Sequence, residues 1–334
     1  MRDGQSVIGM NAHLPYIKDW GQFINRMQAL NPAMVVAYID NLNDAHLITR
    51  LQTIIPNTLV VTRLYHPQDG GFHLPRTDGA EWVAAPADTI NWLSVLTGNG
   101  RVLSLLNEPG TTADVARLSK WISETLKIAA ARGIVCCVGN FSTGTPPIIG
   151  SQWDMSFDDI LRAVADTPHY LGLHEYLPGE TYRVGRLAMA LKRAATIGVK
   201  LPKLLITEYG VDTDGGKESG YHTRDWTGDY YATTLCDVAR RNYLPLANAK
   251  VLYGAAVFSY GNSGGWEAFD VENDKAFWDT LLRNAPRVSI APAAVVPPAP
   301  PKPAAVLAVN SQAAALVSKM QATLDELKEI LAKG

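Results

Sequence analysis

Cysteine is scarce in this chain, and what there is rules out two ways of building a fold. The 3 Cys stand at Cys136, Cys137 and Cys236. Adjacent cysteines in a strand point to opposite faces, so no disulfide framework is expected. No C-x-x-C spacing suggests a structural zinc site. The thiols read as small buried hydrophobes. Charge is equally sparing. Charged residues make up 19% of the 334, and 30 Lys and Arg against 32 Asp and Glu leave a formal net charge of −2. That supplies no basic field to recruit nucleic acid. No apolar run is long enough to span a bilayer. The first residues, Met1 to Ser6, lack the apolar segment of a signal peptide. A soluble protein is expected, with its compartment unassigned. Glycine is missing where a dinucleotide-binding fold needs it: the turn after the first strand reads Asn11-Ala12-His13-Leu14-Pro15, without the phosphate-binding glycines.

What the chain has instead is a repeating order. Apolar runs at 6–11, 33–39, 58–65, 102–106, 134–139, 170–176, 203–207 and 251–259 are each followed by a segment of helical periodicity. Asp19 reads as an N-cap with Trp20, Phe23, Ile24 and Met27 on one face, and Gly133 and Gly198 read as helix stops. Strands without polar alternation are buried on both faces, as in parallel sheets covered by helices. Eight such units over residues 1–288 predict a (β/α)8 TIM barrel, with an open doubly wound sheet as the alternative. Residues 289–305 are rich in Pro and Ala and read as a semi-rigid linker. Residues 306–334 read as an amphipathic, coiled-coil-like helix, with Val317, Met320, Leu324, Leu327 and Leu331 forming an a/d seam. That seam is expected to serve homo-oligomer formation or docking to a partner, since so short a helix is marginal alone.

In such a barrel the functional groups gather at the C-terminal ends of the strands. The predicted ends carry Asn11 and His13, Arg63 and Tyr65, Asn107 and Glu108, Asn140, His174 and Tyr176, Glu208, then Tyr260, with Trp266 in the loop beyond. These are polar or aromatic, while the strand interiors behind them are apolar. Lining a barrel mouth this way costs stability unless the groups hydrogen-bond one another. Two glutamates at two strand mouths are the pair of carboxylates that glycosidic bond cleavage needs.

Asn107-Glu108-Pro109 at the fourth strand, Glu208 ending the seventh and His174-Glu175-Tyr176 on the sixth resemble clan A of the retaining glycoside hydrolases, a clan of (β/α)8 barrels. The resemblance covers the barrel and not the tail. It implies Glu108 as acid/base, Glu208 as nucleophile, Asn107 on a sugar 2-hydroxyl, Tyr176 donating to Glu208 and His174 bonding near the pair. It implies a carbohydrate substrate, with no metal and no organic cofactor. The loops after most strands are short, the long exceptions following the third, fifth and seventh, and on that basis an open groove and endo action are expected. An Arg beside the nucleophile is usual in that clan on the second strand; Arg63 counts to the third. Either Tyr260 or Trp266 would serve as the sugar floor usually supplied by a Trp on the eighth strand. Glu175 is expected to face away and be structural, and His66, His73 and His222 to be solvated loop residues. A carbohydrate-binding barrel without turnover and an assembly protein anchored through its C-terminal helix are the competing classes.

Overall fold

The computed structural model describes residues 1–64, 85–109, 115–149, 152–177, 185–212, 219–223, 226–261 and 265–289. Its centre is a closed barrel of parallel strands in sequence order. The strands are β1 Ile8–His13, β2 Met34–Ile39, β3 Leu59–Leu64, β4 Arg101–Ser104, β5 Cys136–Phe141, β6 Tyr170–Leu177, β7 Lys203–Val211 and β8 Leu252–Tyr260. β1 pairs with both β8 and β2, which closes the ring. Around it lie α1 Trp20–Leu30, α2 Ala45–Ile54, α3 Pro86–Leu93, α4 Val115–Ala131, α5 Asp158–Val164, α6 Arg186–Thr196, α7 Gly228–Val238, α8 Leu244–Asn248 and α9 Lys275–Asn284. The expected (β/α)8 architecture is therefore present. The linker and C-terminal helix read from the sequence lie outside the described residues. Among the described residues no helix is long and apolar enough to cross a membrane.

Local signals work as expected. The Asp19 carboxylate accepts from the Gln22 N–H at 2.9 Å and starts α1, which ends at Asn31 in the left-handed conformation. Phe23, Met27 and Leu30 bury one face of that helix against the barrel, each burial stabilising by roughly 1.5–3 kcal/mol. Two boundaries differ from expectation. β4 stops at Ser104, so Leu105 to Glu108 form the segment beyond the strand. A small antiparallel hairpin, Ile148–Ile149 with Gln152–Trp153, lies between β5 and α5.

Strand side chains alternate between two cores. Outward residues such as Val35, Ala37, Val60, Leu103, Leu204, Ile206, Ala255 and Val257 pack with the helices. Inward residues Met34, Val36, Val61, Val102, Cys137, Tyr170, Leu205 and Ala256 form a separate apolar plug in the lower barrel. Above that plug the alternation is broken three times. Between β5 and β6 the pairing runs Gly139 with Gly172, then Phe141 with Leu173, so Asn140 is an extra residue. Between β6 and β7 it runs Leu173 with Ile206, then His174 with Glu208, so Thr207 is extra. Between β1 and β8 it runs Asn11 with Phe258, then Ala12 with Tyr260, so Ser259 is extra. Such bulges re-aim side chains at barrel rims.

Candidate active site

The inserted residue in β7 turns both Thr207 and Glu208 to the inside. Glu208 is held from two sides. The Arg63 Nη1 donates to its Oε1 at 2.7 Å, and the Tyr176 hydroxyl donates to its Oε2 at 2.7 Å. Its side chain is only 9% exposed. Burial works to raise its pKa, but the neighbouring His174 and Arg63, with the hydrogen bonds from Tyr176 and Arg63, hold the carboxyl below its usual range. Tyr176 is pushed far the other way by burial and by the Glu208 charge, so it stays a neutral donor.

Glu108 stands opposite. Its backbone is left-handed, φ 48°, and its N–H donates to the Asn140 carbonyl at 3.0 Å. Asn140 is itself left-handed, φ 42°. Two non-glycine residues in that region cost about 1 kcal/mol or more each, strain of the kind concentrated at functional sites. The Glu108 side chain is 47% exposed and faces the open mouth. The fully buried His174 joins the two acids: its Nδ1 lies 3.0 Å from Glu108 Oε1 and 3.3 Å from Glu208 Oε2. One donor atom from each of Glu108, His174 and Glu208 lies within 4.8 Å of the others.

Arg63 reaches Glu208 from β3, as its position in the sequence requires. Its guanidinium lies 4.8 Å from the Tyr38 ring centre, and His13 stacks on the same ring at 4.3 Å. Burial and then the Arg63 charge push the His13 imidazole down to about 3, so it is neutral beside Arg63. Asn107 follows β4, and its Oδ1 is buried with no hydrogen-bond partner among the described residues. Trp266 packs edge-on against Phe258 at 5.4 Å, and Phe258 meets Tyr176 at 6.5 Å. With Phe269 they make an aromatic wall beside Tyr176.

Two predicted site residues lie elsewhere. Asn140 sits beneath the pair and not on its open side. Its Nδ2 donates to Ser104 Oγ at 3.0 Å and to the Leu106 carbonyl, and its Oδ1 accepts from Thr207 Oγ1 at 2.9 Å. Gly172 makes that possible, because a Cβ there would meet Asn140 Oδ1 at 2.1 Å. Tyr260 points outwards. It packs on Phe23 at 4.8 Å and Trp278 at 5.6 Å, and its hydroxyl accepts from Arg26 at 3.1 Å. The physical reason is the extra Ser259: the inward series Ala256, Phe258 would otherwise continue to Tyr260, and the bulge turns Tyr260 out.

Glu175 faces away as expected. It accepts from the Leu187 N–H at 2.9 Å and the Tyr243 hydroxyl at 2.6 Å, anchoring the start of α6. His222 Nε2 lies 2.9 Å from the Asp270 carbonyl, outside the constellation. Tyr65, His66 and His73 lie outside the described residues. Sequence reasoning missed Tyr38, Phe258, Phe269, Ser104 and Thr207. Of these, Tyr38 carried a usable signal: it is two residues beyond Val36 on a strand whose inward positions alternate.

The Glu108, His174 and Glu208 donors are a set that a divalent cation could in principle use. Both Glu208 oxygens are already engaged, one of them by a guanidinium.

No protein-family model matches the chain, and no curated protein matches it. Solved structures do. The barrel is similar to Thermotoga maritima Cel5A in complex with mannotriose, at 12% identity and a TM-score of 0.50, covering 83% of this chain and 96% of that one. Active domain 2 of a chitinase from Pyrococcus furiosus has a TM-score of 0.49 at 10% identity, covering 83% of this chain and 94% of that one. A GH113 β-1,4-mannanase has a TM-score of 0.49 at 10% identity, covering 85% of this chain and 97% of that one. At these identities the likeness is one of fold. The class so defined is the (β/α)8 barrel on which Cel5A is built.

Proposed function

We propose that this protein is a retaining glycoside hydrolase that cleaves β-glycosidic bonds in an oligo- or polysaccharide by double displacement. The observation that carries this reading is the carboxylate pair. Oxygens of Glu108 and Glu208 lie within 4.8 Å of one another and of His174 Nδ1. Retaining enzymes hold their two carboxyl groups about 5–5.5 Å apart, whereas inverting enzymes leave room for a water.

The two acids differ in the way double displacement requires. Glu208 is buried, and Arg63 and Tyr176 favour its ionised form. It is the nucleophile: its oxygen bonds to the anomeric carbon as the bond to the leaving oxygen breaks. Glu108 is open to the mouth and supplies the proton to that leaving oxygen. It then takes a proton from the water that releases the sugar from Glu208. The Asn107 Oδ1 accepts from a sugar hydroxyl, which gives this buried acceptor its missing partner. Trp266 and Phe258 offer faces on which a sugar ring stacks. Endo action on a glycan lying across the mouth is part of the same reading.

The test uses a β-linked aryl glycoside with a good leaving group. Glu208→Ala should lose turnover and regain it with added azide, releasing the α-configured glycosyl azide. Wild-type rates in Glu208→Ala would sink the reading.

A further inference from the structure

A groove of about 700 Å³ runs along the barrel's flank between α4 and α5, within the size range of sites for small ligands. It opens because α4 has 17 residues and α5 only 7, so the shorter helix leaves part of its neighbour's flank uncovered. On the α4 wall the lining residues recur turn by turn: Ser119 with Lys120, then Ser123, then Leu126 with Lys127. Lys120 and Lys127 are seven residues apart, so they leave the same face of the helix roughly 10 Å from each other. Arg162 lines the facing wall.

Charge is unevenly met there. Lys120, Lys127 and Arg162 are exposed and have no ion pair or hydrogen bond among the described residues. Of the two acids on the walls, Asp166 is already paired with Lys200 at 2.5 Å. Asp159 stands in the first turn of α5, where the helix dipole favours a negative charge. The groove therefore keeps a surplus of unpaired cations. An independent sign comes from Ser119, which is 5% exposed and whose hydroxyl has no hydrogen-bond partner among the described residues. Buried hydroxyls normally have one. The same helix shows the usual remedy, since Thr125 Oγ1 donates to the Trp121 carbonyl four residues back at 2.7 Å. Ser119 makes no such bond. Ser123, one turn further on, makes no hydrogen bond among the described residues either.

These features select one ligand chemistry. Cations on both walls, two of them separated by two helical turns, match an elongated molecule with more than one carboxylate. The guanidinium fork of Arg162 suits a carboxylate in particular. Hydroxyls that lack both donors and acceptors, set between those cations, match a molecule rich in hydroxyls of its own, because a hydroxyl fills either role and a carboxylate only accepts. We propose that the α4–α5 groove is a binding site for a short acidic oligosaccharide. Its carboxylates pair with Lys120, Lys127 and Arg162, and its ring hydroxyls bond to Ser119 and Ser123. The site lies on the outer face of the barrel, so a chain held there leaves the mouth open. It stands independently of the reading of the mouth, because binding is measured without turnover.

The test is calorimetric titration of the full-length protein at low salt and pH 7. The ligands are hexagalacturonate, maltohexaose as an uncharged hexamer, and hexaglutamate as an acidic peptide. The wild type should bind hexagalacturonate, more weakly as salt is raised, and should not bind maltohexaose in this groove. Lys120→Gln combined with Lys127→Gln should weaken binding by about tenfold. Ser119→Ala should weaken it several-fold and leave the thermal midpoint where it was, since the hydroxyl removed has no partner in the free protein. Absence of binding by the wild type, or an affinity unchanged in the lysine variant, would overturn the site. Equal and lysine-dependent binding of hexaglutamate would overturn the sugar in favour of an acidic peptide. An affinity unchanged in Ser119→Ala would overturn the hydroxyl contact.

Discussion

The two ends of the barrel interior are built from the same strands and behave as opposites. At the base, Met34, Val61, Val102, Leu205 and Ala256 meet in an apolar plug whose only polar side-chain groups are the Cys137 thiol and the Tyr170 hydroxyl. At the mouth, two residues further along β3 and three along β7, the inward positions become Arg63 and Glu208. A buried ion pair of this sort is weak evidence for stability, because desolvating both charges offsets most of their attraction. The base thus holds the fold and the mouth is held by it. The mouth also carries extra residues at Asn140, Thr207 and Ser259 and left-handed Glu108 and Asn140; the base has one irregularity of its own, where Leu252 to Ala255 of β8 runs against Leu204 to Ile206 of β7.

The comparison breaks most sharply at the charged pair. Glu208→Gln should reduce turnover on an aryl β-glycoside by about 10⁴-fold or more, the scale seen when an essential nucleophile is removed. It should do so with little loss in the midpoint of urea unfolding. Leu205, three residues earlier on the same strand, should give the reverse. Leu205→Ala leaves a cavity in the plug and should cost about 2–5 kcal/mol of stability, read from the same urea transition. Turnover per folded molecule should stay close to wild type. If Leu205→Ala lowered turnover of the folded fraction as much as stability, the division between base and mouth would fail.

A finer cut lies within the mouth. Tyr176→Phe removes the hydroxyl that donates to Glu208 at 2.7 Å and leaves the ring against Phe258. A hydrogen bond to a charged group contributes about 1.5–3 kcal/mol. The expected loss is therefore roughly ten- to a hundredfold in kcat/KM, with the acid limb of the pH profile moving up as the carboxylate loses a donor. A drop in kcat/KM without movement of that limb would assign the hydroxyl to sugar binding instead.

How much of this could be read from the sequence follows from what pattern encodes. Strands buried on both faces are apolar at every position, so runs such as Met34–Ile39 announce a parallel sheet directly, and eight of them with intervening helices lead to a closed barrel. Glu208, His174 and Tyr176 were legible for the same reason, as polar residues interrupting apolar runs at one end. The bulges were not. A single extra residue has no composition of its own, yet it moves every later side chain to the opposite face. That is why Tyr260, counted as a mouth residue, lies against Arg26 and Trp278, and the last inward side chain of β8 is Phe258. It is also why Asn140 ends beneath the acids, tying Ser104, Leu106 and Thr207 together.

His13 gives the most diagnostic effect, because it is a mouth residue whose influence should appear in stability. Its imidazole is stacked on Tyr38 and, through burial first and the Arg63 charge second, titrates at about 3 instead of the ordinary 6.5. Between those two values the unfolded chain binds a proton at this residue and the folded chain does not. Stability therefore rises with pH through that window and falls as the medium is acidified below about 6.5, by on the order of 1 kcal/mol per pH unit. His13→Phe keeps an aromatic ring for Tyr38 and removes the titration. Urea midpoints followed from pH 7 to pH 4 should fall less steeply in the variant than in the wild type. Parallel slopes would mean that the acid sensitivity of the mouth resides in other groups and that His13 contributes packing alone.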